Sequence, residues 1–458
     1  MRTFILTSAL LLGACSSIPH QDLPKPPVAS VYPLIDGGVA AEIPAARDLA
    51  WRRIYGDPRL AALITLALDE NRDLRTALLN VEAARAERRI ARGALMPALD
   101  ADISSTRERS ALQGDVKSHS ANLSLTAFEL DVFGRLRAQS KAAFERYLAT
   151  EEGGRSARIS LISAVASAYL DERLAQEQEA LTRATLADWS ASLEIVRRQR
   201  AASQSSGLEL AQAEGLVRQA EADLEARRRE LMQATNALTL VVGAPISATL
   251  PAPMPLMDQP MPTQLSPGLP SDLLTLRPDI VAAEHALRAS NADVGAARAA
   301  FLPQISLTGA LGVASPELSR LFSGDNKTWS FTPRIVQPIL RGEAPGGLDL
   351  AKARRALAVA AYEKQIQIAF KEVSDGLAAQ STYSRQVFVQ EAVVDSAANR
   401  RRLSNLRYEA GVDGRLELLD AQRGEYAARQ ALLSLKRDQL VAMASLYAAL
   451  GGGPDARS

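Results

Sequence analysis

The sequence predicts a mainly α-helical fold with a smaller β-sheet portion, built twice in tandem. Three observations lead to this prediction: long segments rich in Ala, Leu, Glu, Gln and Arg, short candidate strands, and a second half that repeats the first. Those residues are good helix formers, so the long segments favour helices packed as coiled-coil-like pairs. The candidate strands have about ten residues, which is enough to cross a bilayer when tilted.

The two halves have the same order of elements. Each begins with a helix of about 30 residues whose end is marked by proline. Two strands around a polar loop follow, and then two long helices. We expect the first helices at 60–95 and 271–302, the strands at 98–107, 120–130, 304–314 and 328–340, the loops at 108–117 and 315–327, and the long helices at 134–202, 207–242, 348–410 and 415–450. The Gly153-Gly154 pair predicts a kink or break in the first long helix.

Matched segments at a nearly constant displacement indicate the duplication. Residues 91–97 (ARGALMP) match 297–303 (ARAAFLP) at a displacement of 206, and 208–210 match 416–418 at 208. Chance matches would scatter in displacement, so the pattern indicates a tandem repeat. The predicted divisions are a signal peptide at 1–14, a lipidated tether at 15–59, a first repeat at 60–250, a proline-rich linker at 251–270, a second repeat at 271–451 and a tail at 452–458.

The first fifteen residues predict export and lipid attachment. After Arg2 comes an apolar stretch too short to remain as a transmembrane helix, and it ends in Leu-Gly-Ala-Cys15, which resembles a bacterial lipobox. We expect Cys15 to carry a covalent S-diacylglycerol and an N-acyl chain, because stable anchoring needs more than one chain. Ser16 follows the cysteine in place of the aspartate that retains lipoproteins in the inner membrane, which indicates the outer membrane.

Composition and charge exclude several classes of function. The 458 residues include 53 basic and 52 acidic side chains, so the chain lacks the basic excess of a nucleic-acid-binding protein. One cysteine and three scattered histidines argue against a disulfide framework and against a metal site. Hydrolase, metalloprotease and nucleotide-binding motifs are absent from the sequence, so we expect no enzyme activity and no cofactor besides the lipid.

Several motifs in this order resemble those of TolC/OprM-type outer-membrane efflux proteins, in particular the NodT-like lipoprotein branch. They lie at 128–135, 276–280, 301–303 and 407–422, and the resemblance covers essentially the whole mature chain. It implies a homotrimer whose twelve strands close one β-barrel, which the helices extend as a periplasmic α-barrel. Four strands alone would leave two strand edges unpaired in lipid, so several copies of the chain must combine to close a barrel. This argument does not distinguish a dimer with eight strands from a trimer with twelve.

The resemblance implies an outer-membrane exit duct of a tripartite efflux system. An inner-membrane pump, expected to be of the resistance-nodulation-division type, would deliver drugs or small solutes through a periplasmic adaptor (membrane fusion) protein. Two alternatives stay open: a duct of the same fold for protein secretion, and a structural helical lipoprotein without a pore. The segment 338–342 (PILRG) departs from the family pattern of an aromatic and an acidic residue before the glycines.

Candidate site residues follow from the same resemblance. Asp420 and Glu417 match acids that ring the closed periplasmic aperture, and their spacing of three puts them on one helix face. For Glu417 we favour helix capping over gating, because it falls in the register of the capping box at 206–209. Arg407 and Tyr408 match the closed-state network. The predicted adaptor-contact turns contain Ser203, Ser205, Gly207, Gly411, Asp413 and Gly414.

Overall fold

The computed structural model describes residues 18–20, 23–29, 32, 49–110, 114–268 and 270–453. The predicted signal peptide and Cys15 therefore lie outside the described residues. The chain divides into two compact units. The first unit contains 1–26, 79–151 and 282–364, and the second contains 27–78, 152–281 and 365–458. Each unit thus takes residues from both halves of the sequence.

A four-stranded antiparallel sheet lies in the first unit, in the order β1-β2-β3-β4. Its strands are β1 (Leu99–Ser110), β2 (Gly114–Leu130), β3 (Gln304–Ser315) and β4 (Lys327–Val336). The central pair joins β2 of the first repeat to β3 of the second, so the two halves share one sheet. β1 and β2 are longer than predicted, so residues 108–110 and 114–117 of the predicted loop belong to strands. The other residues of that loop, 111–113, lie outside the described residues.

The sheet has one apolar and one polar face. One register row runs Ala101, Leu123, Leu311 and Trp329 across all four strands, and the next row runs Asp100, Ser124, Ala310 and Ser330. Successive residues of a strand point to opposite faces, so these rows lie on opposite sides. Leu311 and Trp329 are 65% and 78% exposed in the protomer. β4 ends at Val336, earlier than the predicted 340, before Pro338, which has no N–H for a strand ladder.

The predicted first helix of each repeat is broken in two. The helix α1 (Trp51–Ile54) precedes α2 (Pro58–Glu70) and α3 (Arg72–Gly93), and the second repeat has α6 (Leu273–Leu276) and α7 (Pro278–Ala299). Asn71 separates α2 from α3: its Oδ1 accepts from Leu74 N at 2.8 Å, and its Nδ2 donates to Val241 O at 2.8 Å. Arg277 is extended before Pro278, as expected of a residue that precedes proline.

Four long helices make up most of the chain: α4 (Arg135–Ala201), α5 (Gly207–Val242), α8 (Glu343–Glu409) and α9 (Arg415–Ala449). α4 and α8 each have 67 residues, which corresponds to about 100 Å of helix. α4 continues through Gly153 and Gly154, so the predicted break is wrong. Two glycines weaken a helix locally, but good helix formers on both sides sustain the backbone hydrogen bonds. Within the described part of the chain, no helix combines the length and apolar composition needed to span a membrane.

The core of the second unit contains residues from the predicted tether. Trp51, Ile54 and Tyr55 are fully buried, and the Tyr55 ring meets the Tyr447 ring edge-on at 6.1 Å. The Tyr169 hydroxyl donates to Asp57 Oδ2 at 2.6 Å, and Asp57 also caps α2 through Arg59 N at 2.8 Å. The end of the tether segment is therefore folded into the protein.

Candidate functional site

The candidate site lies at the turns between the long helices, all in the second unit. In the first turn, Ser203 has φ +58°, where its partner in the other repeat, Gly411, has φ +71°. Ser206 caps α5: its Oγ accepts from Glu209 N at 3.1 Å, and its own N–H donates to Glu209 Oε2 at 2.8 Å. The Ser205 hydroxyl also donates to this carboxylate at 2.7 Å, and these hydrogen bonds lower the pKa of Glu209. Gly207 is the first residue of α5.

An ion pair closes the second turn instead of a capping box. Gly414 is the N-cap of α9 and has no side chain to accept a hydrogen bond. Arg407 Nε and Nη2 donate to the two oxygens of Asp413 at 2.5 and 2.7 Å. This fork raises the pKa of Arg407 and lowers the pKa of Asp413. The sequence predicts Arg407 in a closed-state network. In the protomer its ion pair stabilises the turn that follows α8.

Tyr408 takes part in a network that joins three helices, and its main partner is Arg415. Arg415 Nη1 donates to the Tyr408 hydroxyl at 3.1 Å, and the guanidinium lies 5.3 Å from the centre of the Tyr408 ring. Arg415 Nη2 donates to Ser192 O and Oγ, on α4, at 3.2 and 2.5 Å. The Tyr408 hydroxyl donates to Gln199 Oε1, also on α4, at 3.4 Å. The network therefore ties the turn of the second repeat to the long helix of the first.

Arg415 was missed by the sequence analysis, although the sequence held a signal for it. The residue is 3% exposed, which is rare for an arginine. It occupies the first position of α9, where the helix dipole disfavours a cation, and the matching first position of α5 is Gly207. A cation at the N-terminus of a helix is electrostatically unfavourable, so its presence there indicates that other contacts stabilise it.

The two candidate aperture acids share one guanidinium. Arg400 Nη2, on α8, donates to Glu417 Oε1 at 2.9 Å and to Asp420 Oδ2 at 2.7 Å, and these bonds raise the pKa of Arg400. Arg423 lies 3.6 Å from the other oxygen of Asp420. The capping box expected for Glu417 is not formed, because Gly414 offers no hydroxyl and the Glu417 carboxylate pairs with Arg400. Glu417 does lie in the first turn of α9, where the helix dipole favours an acid. Two carboxylates and two guanidiniums leave this cluster with no net charge.

Further along the helices, a buried polar layer joins both repeats. Glu425 is buried and pairs with Arg401 and with Arg429, at 2.6 Å for the latter. The Tyr426 hydroxyl lies 2.8 Å from Thr182 Oγ1 on α4. Because buried polar groups need partners, this layer fixes the register of α9 against α4 and α8.

Comparison with known proteins identifies the class. The sequence pattern of the outer membrane efflux protein family matches residues 63–244 and 269–452. The chain is 42% identical to outer membrane protein OprJ of Pseudomonas aeruginosa, over 98% of this chain and 95% of that protein. It is 41% identical to the toluene efflux pump outer membrane protein TtgC of Pseudomonas putida, with the same coverage. The open-state MtrE outer membrane channel of Neisseria gonorrhoeae superimposes with a TM-score of 0.88 at 38% identity, over 96% of this chain and 98% of that one.

The fold and the paired helical turns define a TolC-like outer-membrane channel protein. The chain belongs to the outer membrane efflux protein family. It is an outer-membrane protein that extends into the periplasm, and its class is that of efflux channels.

Proposed function

We propose that this protein is the passive exit duct of a tripartite efflux system for drugs or small solutes, without a catalytic step of its own. The observation that carries the proposal is the two-faced sheet, with an apolar row on one side and a polar row on the other. An apolar face suits contact with lipid, and a polar face suits a water-filled interior. The relative TtgC is described as the outer membrane protein of a toluene efflux pump, which favours solute export over protein secretion.

The proposed working form is a homotrimer. In the described protomer β1 and β4 are the edges of the sheet, and unpaired strand edges are not tolerated in lipid. Three protomers would pair β1 of one with β4 of the next and close a twelve-stranded barrel. The similarity to solved channels such as MtrE supports this assembly.

Proposed partners are a periplasmic adaptor and an inner-membrane pump of the resistance-nodulation-division type. The adaptor would contact the two helical turns, at Ser203, Ser205 and Gly207 in one and at Gly411, Asp413 and Gly414 in the other. The first turn is closed by a capping box between serines and the Glu209 carboxylate, and the second by an ion pair. A trimer would therefore offer six tips of two alternating chemical kinds, and a cross-linker in either turn should capture an adaptor.

The proposed aperture is formed by Asp420 and Glu417 of three protomers. In each protomer Arg400 compensates these acids, so the closed ring would be less negative than the carboxylates alone suggest. The proposed lipid at Cys15 would anchor the protein next to its barrel, with acyl chains in the outer membrane.

Conductance of the purified protein in a planar bilayer tests the proposal. We expect ion-conducting channels, and we expect expression to restore antibiotic resistance in a strain whose own outer-membrane duct is deleted. Folded trimers that conduct no ions, or that conduct but never restore resistance, would contradict an efflux duct.

A further inference from the structure

The helix α7 of the second repeat contains two residues that a long helix normally avoids. Asn291 and Gly295 lie four apart in its interior, so they share one face. Both are poor helix formers compared with Ala. Their matches in the first repeat, at a displacement of 206, are Arg85 and Arg89, which are exposed. At these two positions the second-repeat helix therefore has uncharged residues where the first-repeat helix has arginines.

The N-terminal segment occupies this face. A Cβ built on Gly295 would lie 2.8 Å from both Cα and Cγ1 of Ile18 and 3.0 Å from its N. Real Cβ atoms are not found this close to a backbone atom. Glycine is therefore required here, because the Ile18 backbone rests directly on the helix.

Asn291 holds the next residue of the segment. It is 5% exposed, and its Nδ2 donates to Pro19 O at 2.8 Å. Arg355, on α8, donates to Asn291 Oδ1 at 3.4 Å, which leaves the amide nitrogen turned to the Pro19 carbonyl. A buried amide without this carbonyl would keep an unsatisfied donor. Tyr32, further along the same segment, is also held, stacked on Phe370 at 5.2 Å.

We infer that α7 carries a seat for the N-terminal tether, formed by Asn291 and Gly295 and occupied by Ile18 and Pro19. Cys15 lies three residues before Ile18, so its Cα is at most roughly 11 Å away from that of Ile18. The seat thus limits the positions that the acyl chains of Cys15 can reach. Without it, the length of the whole tether would set that limit. The part that concerns the lipid rests on the proposed acylation of Cys15, and the seat itself does not.

A spin label on the tether measures the seat directly. Leu23 is 44% exposed, and Leu23→Cys can be labelled specifically if Cys15 is acylated, because the chain has no other cysteine. In the purified full-length protein we expect a mainly immobile label. Protein without the Leu23→Cys change serves as the labelling control. If it takes up the label, Cys15 is free and the proposed acylation is refuted. The seat is then tested with the label on the double variant Leu23→Cys, Cys15→Ser.

Gly295→Ala is the decisive variant. Alanine is the better helix former, so α7 itself is not weakened, but its Cβ removes the space for Ile18. We expect the label to become mainly mobile, with folding and trimer content unchanged. The matched control is Arg89→Ala, at the same position of the first repeat, which should leave the spectrum as it is.

Asn291→Ala gives a second, milder measurement. It removes one buried hydrogen bond and should raise the ratio of mobile to immobile label about fivefold, the equivalent of about 1 kcal/mol. A label that is already mobile in the native background would overturn the seat. So would spectra of Gly295→Ala and Asn291→Ala that match the Arg89→Ala control.

Discussion

Replacing Arg415 should loosen the turn of the second repeat and raise the leak of the closed channel. Arg415→Met keeps an unbranched side chain, although a shorter one, and removes the donors to Tyr408 and to Ser192. It also removes the guanidinium next to the Tyr408 ring. Because these contacts join α8 and α9 to α4, their loss should favour separation of the helices at the turn.

The size of the effect follows from these contacts. A hydrogen bond from a charged donor contributes about 1.5–3 kcal/mol, and the desolvation of a buried guanidinium offsets part of the total. We take about 2 kcal/mol as the net loss, which shifts the equilibrium between docked and separated helices about 30-fold. Tyr408→Phe removes only the hydroxyl and should have the smaller effect in the same direction.

Single-channel recordings in planar bilayers measure the leak as the fraction of time spent conducting. The matched control is Arg402→Met, which removes an exposed arginine of α8 whose side chain donates to Asn399 Oδ1 of the same helix, at 3.0 Å. A double-mutant cycle of Arg415→Met with Tyr408→Phe should show coupling, because the two side chains are in direct contact. A folded Arg415→Met trimer with an unchanged leak, or additive single effects, would refute this reasoning.

Three further predictions concern the anchor, the acid cluster and the second turn. Cys15→Ser should leave the protein unprocessed or unanchored, and mass spectrometry of the native protein should find an acylated Cys15; another mature N-terminus would contradict lipidation. Asp420→Ala should shift the ion selectivity toward anions with little change in stability, because two guanidiniums then face a single carboxylate. Reversal potentials in a salt gradient check this, and an unaltered selectivity would remove Asp420 from the aperture. The ion pair of Arg407 and Asp413 lowers the pKa of the Asp413 carboxyl, so its contribution is fully present above the ordinary aspartate pKa and is lost as the pH falls through the lowered value. Protection of the turn amides, measured relative to their intrinsic exchange rates, should therefore fall only at acidic pH, and Asp413→Asn should show the lower protection already at neutral pH; equal protection of the two proteins at neutral pH would argue against the pair.

The two repeats differ at two places where we propose contacts that each repeat makes differently, the helical turns and the seat of the tether. The turn of the first repeat is capped by Ser206, and the turn of the second by the pair of Arg407 and Asp413. Likewise the tether has one seat, on α7, while the matching face of α3 carries arginines. A duplicated protein in a symmetric assembly can thus give each copy of a helix a different contact without changing the fold.

Local rules placed most elements correctly from the sequence. Period-two alternation and polar loops predicted four strands, and all four are present with the ends of β3 within one residue. The capping box at Ser206 was also predictable, because a cap depends only on residues three apart. The similarity of motifs in order then gave the class of protein, which the comparisons confirm.

What the tertiary structure alone decided depends on contacts between residues that are distant in the chain. Glu417 has the spacing of a cap, but Arg400, 17 residues earlier, takes its carboxylate. Arg415 is buried beside Ser192, 223 residues away, whose backbone and hydroxyl oxygens accept from Nη2 of its guanidinium. From the sequence, Gly295 is only a residue of low helix propensity. The structure explains it, because the Ile18 backbone lies directly against this position. Propensity and periodicity describe the neighbours along a chain, whereas the pairing of a charge or the fit of one backbone on another is set by packing across the fold.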